Sequence, residues 1–219
     1  MSRARRLLLR ARALAWLALV TEWRMYCGAV RLLTRRPHVP DGAGTVAYSG
    51  LVALAMWAFT AVSAVELVAL HLIIPWEGLR LAADVLGIWG VLWCLGMTGC
   101  HYVYPHLVTD AGLVVRNAER RAAVVVPWDL VVGVGVRERS HESGRRVQLG
   151  DDPQRAELLV PVGKITSLHL DLRAPLEVAV RGRRHAVTRV VLAADEPRVL
   201  AAMVRERASL SSPRPGHRP

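Results

Sequence analysis

Charged residues are missing from two stretches, Gly42–Val65 and Val85–Thr109, and that absence excludes a uniform water-soluble globule. Cysteine is scarce as well. Cys27, Cys94 and Cys100 form no CxxC pair, and two of them lie in an apolar run, which argues against a disulfide framework. Acidic residues are outnumbered, 18 Asp and Glu against 29 Lys and Arg in 219 residues, giving a formal charge of +11. Nowhere are acids, bases and nucleophiles grouped with an orienting partner, so no catalytic residue, cofactor or metal is expected.

What is present is ordered along the chain. Residues 1–36 carry nine Arg against one Glu, residues 37–106 one Arg against four acids, and the remainder nineteen basic against thirteen acidic residues. Since a helix rises about 1.5 Å per residue, about 20 apolar residues cross a hydrocarbon layer about 30 Å thick. Val46–Val65 supplies that length, and apolar character continues to Ile74 before Pro75, Trp76, Glu77 and Gly78 break it. Leu79–Tyr104 supplies a second crossing. The expectation is a transmembrane helical hairpin at about 45–74 and 79–104. The Arg-rich start outweighs Arg80 near the short turn, which places both termini on the cytoplasmic side of a multi-pass protein.

On a helical wheel Ala83, Gly87, Gly90, Cys94, Thr98 and His101 share one stripe, and Gly50, Ala53, Ala61 and Ala64 another. Small stripes let helices approach closely in lipid, with the two helices packing on each other or on a partner's helix. Gly87, Gly90 and Cys94 are the candidate packing positions, and homo-oligomers fit the second option. Ionisable residues within a bilayer are costly and often functional, so Glu66, His71 and Asp84 raise the alternative of a small transporter or channel subunit using Glu66 and Asp84 in an oligomer. Their position toward the hairpin end weakens it.

Arg3, Arg6, Arg10, Arg24, Arg31 and Arg35 fall within a wheel sector of about 80°, away from Leu8, Leu19, Trp23, Tyr26 and Leu33. This predicts a basic amphipathic helix over 1–36, lying at the membrane interface and ending before Pro37. Its arginines either attract anionic lipid or set topology. Interleaved Leu and Trp on a membrane-tethered chain favour lipid over nucleic acid.

After Pro105 the pattern changes to short β-branched segments: Leu113–Arg116, Ala122–Val126, Leu130–Arg137, Arg146–Leu149, Leu158–Val162, Ile165–Leu172, Leu176–Val180 and His185–Leu192 read as strands. Asp195, Glu196 and Pro197 open a closing helix with Asp195 as N-cap, and 209–219, rich in Ser, Pro and Arg, reads as disordered. The run Leu107–Arg139, with its T-D-x-G-L hairpin at Thr109–Leu113 and its P-W-D step at Pro127–Asp129, resembles the opening of bacterial pleckstrin-homology (PH)-like domains. The Arg-rich, Lys-poor composition resembles that of an actinobacterium. This resemblance covers about half of the chain and implies an α+β membrane protein of a bacterial inner membrane, its C-terminal PH-like antiparallel β domain over 107–208 closed by one helix. Such a domain would be a small barrel or two packed sheets serving as a docking or lipid-binding platform.

Among the remaining polar features, His101 and His106, with Cys100 beside them, fit no common zinc spacing, and the two histidines read as interface residues. Ser140, His141 and Glu142 are consecutive in a loop, and Asp151 with Asp152 reads as a solvated turn. Trp128 reads as a packing anchor for the closing helix. The basic hairpin tip, Arg181, Arg183 and Arg184 with His185, is the surface feature that points to binding, of anionic headgroups or an acidic protein partner.

Overall fold

The computed structural model describes residues 3–150 and 156–211, and the chain falls into a helical unit, up to Pro37 together with Ala53–Val103, and a β unit, His38–Val52 together with residues from Tyr104 on. The helical unit holds α1 (Arg3–Leu33), most of α2 (Gly50–Ile73) and α3 (Glu77–Val103). Both α2 and α3 are long and apolar enough to cross a membrane, and only 6% and 11% of their most apolar windows are buried, unlike the core helices of a soluble domain. Their exposed Leu54, Phe59, Val65, Leu72, Leu86 and Ile88 suit lipid.

Four rungs join α2 to α3 antiparallel. His71 Nδ1 lies 2.9 Å from Asp84, Leu67 packs on Gly87, Ser63 Oγ lies 3.7 Å from Cys94 Sγ, and Trp57 donates to Tyr102 at 3.4 Å. The contact of α1 with α3 is of another kind. A side chain on Gly28 would come within 2.7 Å of the Gly96 carbonyl, and side chains on Gly96 and Gly99 would collide with the backbone at Met25 and Gly28. Backbone touches backbone there, as only glycine permits. Met25, Gly28 and Ala29 are buried, whereas Leu14, Trp16 and Leu19 earlier in α1 are exposed.

In the β unit, a four-stranded antiparallel sheet runs in the order β1 (Gly44–Val46), β2 (His106–Val108), β3 (Gly112–Val115), β4 (Val124–Pro127). Leu113, Val115, Val124 and Val126 turn inward while Val125 is exposed, the alternation of period two that a half-buried strand requires. One 3-10 turn, Trp128–Leu130, leads to the second sheet: β5 (Val131–Ser140), β6 (Gln148–Leu149), β7 (Glu157–Val160), β8 (Ile165–Val180) and β9 (Arg183–Leu192), ordered β5-β8-β9-β7-β6. Leu158, Val160, Leu168, Leu170, Val190 and Leu192 are fully buried with Leu200, Ala201 and Val204 of α4 (Pro197–Ser211). Trp128 is buried in the same core and donates to the Thr109 carbonyl at 2.8 Å, so the P-W-D step locks the turn at Thr109–Gly112.

The structure corrects several expectations. The first apolar helix begins at Gly50, because residues 44–46 pair with β2 and so complete the β unit from the other side of the hairpin. The second sheet is mixed: β9 returns from the β8 hairpin between β8 and β7, and since β7 and β9 both run against β8, they pair in parallel. Arg173-Ala174-Pro175 bends β8 through a register shift without ending it, as proline without an N–H donor does at a bulge. Asp195 does not cap α4. Its carboxylate accepts the Gly50 N–H at 2.9 and 3.0 Å, at the first turn of α2. The closing helix runs on through Ser211, three residues into the segment expected to be disordered.

Candidate functional site

The tip of the β8–β9 hairpin is a two-residue turn. Val180 pairs with Arg183, leaving Arg181 (φ 53°) and Gly182 (φ 77°) both left-handed, as a type I′ turn requires. Glycine adopts that conformation freely; arginine does so at a cost of about 1–2 kcal/mol. Lys164 (φ 68°) follows Gly163 (φ 58°) in the turn between β7 and β8, and its stem lies along Gly144 in the loop after β5.

Strand alternation then sorts the arginines. Arg183 and His185 line one cleft with Arg181, while Arg184 points elsewhere and meets Glu177 across the hairpin at 3.4 Å. Both members of that pair are largely exposed, which makes it a weak surface contact.

The loop after β5 supplies the other wall, and it is fastened from inside. Asn117, buried, donates to the Arg146 carbonyl at 2.9 Å and the Pro161 carbonyl at 2.8 Å. Glu119 pairs with Arg146 at 2.6 Å, His141 lies 2.9 Å from Thr166 Oγ1, and Gln148 donates to the Ser143 carbonyl at 3.3 Å. Two clefts result. The first, about 680 Å³, is lined by Ser140, His141, Glu142, Ser143, Arg145 and Gln148 together with Arg181, Arg183 and His185. The second, about 700 Å³, is lined by Asn117, Glu119, Arg121, Arg145, Arg146 and Arg181. Arg145 and Arg181 border both. Among the described residues no carboxylate is within ion-pair distance of Arg145, Arg181 or Arg183, so these guanidiniums face the clefts without a counter-ion.

A second polar cluster centres on His106, which the sequence reading expected at an interface. His106 is fully buried: its Nε2–H donates to the Ala193 carbonyl at 2.8 Å, its Nδ1 accepts the Arg116 N–H at 3.0 Å, and Tyr48 stacks beside it at 4.5 Å. Burial lowers its pKa from 6.5 to about 4, with the Ala193 hydrogen bond opposing and Arg116 adding to the fall. Tyr48 donates to the Tyr104 carbonyl and accepts the Ala118 N–H, both at 2.7 Å, and Arg116 donates to the His38 carbonyl at 2.9 Å. The hydrogen bonds hold 38–52 against the rest of the β unit.

Across the second sheet Arg189 joins Asp171 at 2.6 Å and Glu157 at 3.1 Å, with Arg139 3.6 Å from Glu157. His169 lies over Gly135, where a side chain would leave no room, and burial lowers its pKa against the opposing Asp171 carboxylate. These charges satisfy one another.

The other expected positions are dispersed. Arg24 and Arg31 are half-buried on α1, and Arg35 lies beyond the helix end with a left-handed backbone (φ 54°), so it leaves the predicted stripe. The side chains of Arg3, Arg6 and Arg10 lie outside the described residues, as do Asp151 and Asp152. Gly87 and Cys94 face α2, while Gly90 faces open space. Asp84 is joined to His71, and among the described residues no contact joins it to Glu66. His101 bonds to the Met97 carbonyl one turn back, and His106 is buried within the β unit, which corrects its expected place at the membrane interface. Among the described residues no three His, Cys, Asp or Glu side chains are placed to hold a metal ion.

The chain matches no family model, no curated protein and no solved structure. Its architecture is that of a membrane-associated protein with an N-terminal helix, two apolar helices and a folded β domain.

Proposed function

We propose that this protein is a non-enzymatic membrane-anchored docking protein, its β domain PH-like and cytoplasmic, with the β8–β9 tip as the recognition surface for an anionic lipid or protein partner at a bacterial inner membrane. The observation that carries it is that Arg145 and Arg181 border both clefts and Arg183 the first, with no carboxylate within ion-pair distance of any of the three among the described residues. Support for the domain assignment comes from two sheets around one core, closed by α4, with the T-D-x-G-L and P-W-D segments forming the hairpin and the step between sheets. A transport role is less well supported, since Asp84 is engaged by His71 and stands apart from Glu66.

Two measurements test this reading. Cysteines placed at Ser140 and Arg183 are expected to resist an impermeant label in intact cells while one at Glu77 reacts; the reverse pattern overturns the orientation. The full-length protein, crosslinked in its membrane and purified, is expected to retain a stoichiometric partner or enriched anionic lipid that is lost when Arg145, Arg181 and Arg183 are replaced by Gln. Unchanged recovery in that variant overturns the docking role of the tip.

A further inference from the structure

Beyond the docking reading, we infer that two copies of this chain associate in the membrane through one face of α2, with Glu66 of each copy bonded to its counterpart across a two-fold axis. Trp57, Thr60, Ser63, Glu66 and His71 are the polar side chains of α2, and all but one are served within the chain. Trp57 bonds to Tyr102, Thr60 to the Met56 carbonyl, Ser63 to Cys94 and His71 to Asp84. Glu66 is exposed and has no hydrogen-bond or ion-pair partner among the described residues. It stands two turns inside the end of α2 at Ile73, about 10 Å along the axis, farther than its own side chain reaches. In hydrocarbon an unpaired carboxylate is costly. Neither basic residue near the bend supplies a partner, since His71 holds Asp84 and Arg80 lies in the first turn of α3.

The helix surface beside Glu66 has the shape to receive another helix. A groove of about 510 Å³ runs along α2, lined by Ala64, Val65, Val68, Ala69 and Leu72. Ala69, three residues on from Glu66, is its neighbour on the helix surface. Ala64 and Ala69 let a second backbone approach closely, while Val65, Val68 and Leu72 supply contact. The groove is separate from the face that carries Trp57, Ser63, Leu67 and His71 toward α3, so both contacts coexist. The occupant is a second copy because the requirements are symmetric. Every copy crosses the membrane in the same sense, so a neighbour presents its Glu66 at the same depth. A carboxyl taken out of water keeps its proton, and in that form it both donates and accepts a hydrogen bond. Two such groups satisfy each other without a counter-charge, in the isologous contact that identical chains form.

The test uses full-length protein carrying donor or acceptor fluorophores in phosphatidylcholine liposomes, diluted stepwise with lipid. Energy transfer is expected to fall reversibly with dilution. Glu66→Leu, which inserts at least as readily as the parent, is expected to need about tenfold more protein per lipid to associate. Glu66→Gln, whose amide also donates and accepts, is expected to stay within about threefold of the parent. Oxidation of an Ala69→Cys variant in the same liposomes is expected to give a covalent dimer, and Ile88→Cys, exposed on α3, is expected to give none. Three results overturn the inference: no energy transfer at any dilution, association of Glu66→Leu equal to that of the parent, or crosslinking at Ile88→Cys and not at Ala69→Cys. The first includes the case in which Glu66 serves a helix of a different protein. All these variants keep the arginines of the β8–β9 tip, so failure here leaves the docking reading standing.

Discussion

The β unit concentrates polar side chains in two places, around His106 and around Arg181, and treats them oppositely. In the first, each ring nitrogen of His106 and the hydroxyl of Tyr48 are engaged within 3.0 Å by backbone groups of the same unit. In the second, Arg145, Arg181 and Arg183 stand exposed around clefts with no carboxylate partner among the described residues. A buried polar group left unbonded costs about 1–3 kcal/mol, so the bonds of His106 and Tyr48 are a condition of folding, while Arg116 Nε beside them is buried without a hydrogen-bond partner. An exposed cation has no such requirement. Incompleteness there is tolerated by the fold and becomes informative about ligands.

The sharpest way to break this contrast is to remove His106. Replacing it with Ala strips hydrogen bonds from the Ala193 carbonyl and the Arg116 N–H and opens a cavity beside Tyr48. The expected loss is about 3–5 kcal/mol, read as faster hydrogen exchange across β2, β3 and β9 in the full-length protein.

Acid probes the same residue without mutation. The unfolded chain takes up a proton near pH 6.5, whereas folded His106 resists until about pH 4. Its contribution is therefore fully present above about pH 6.5 and falls as pH drops toward about 4, by about 3 kcal/mol in all. Chemical denaturation across that window checks the slope, and a His106→Gln variant, which cannot titrate, is expected to flatten it. Tyr48→Phe follows in size, about 2 kcal/mol for two lost hydrogen bonds, checked by the same exchange experiment.

At the tip the sign reverses. Arg181→Gly relieves the left-handed backbone and is expected to stabilise the domain by about 1 kcal/mol while weakening the ligand. Thermal melting, beside recovery of the crosslinked partner or lipid, separates the two effects, and a variant that loses stability would place Arg181 among the structural groups.

Much of this was legible in the sequence because the signals are local. Apolar length marked α2 and α3, alternation marked most strands, and Arg181 to Arg184 stood out as a charge run at a turn. What stayed hidden depends on distant partners. Residues 44–46 look like the start of an apolar run, since their strand exists only through pairing with β2 some sixty residues later. Asp195 sits where a cap of α4 belongs, and nothing nearby says that its carboxylate serves Gly50. Gly96 and Gly99 face α1, while Gly87 and Cys94 of the predicted stripe face α2. Arg145 joins the tip only through folding of the loop that Asn117 holds. A charge run in sequence also overstates the site, because alternate strand residues point to opposite sides.

That last point gives the smallest expected effect. Arg184 belongs to the same run as Arg183 but lies outside the first cleft, paired with Glu177, and both side chains are more than two-thirds exposed. In water such a pair contributes about 0–1 kcal/mol. Arg184→Gln is therefore expected to change stability by less than about 0.5 kcal/mol and affinity for the crosslinked partner or lipid by less than about twofold, both within reach of melting and quantitative recovery. A tenfold loss of affinity would mean that recognition follows the net charge of the tip, with no role for the geometry of its clefts. Unchanged binding here, beside a loss at Arg181 and Arg145, would locate recognition in the two cations that the clefts share.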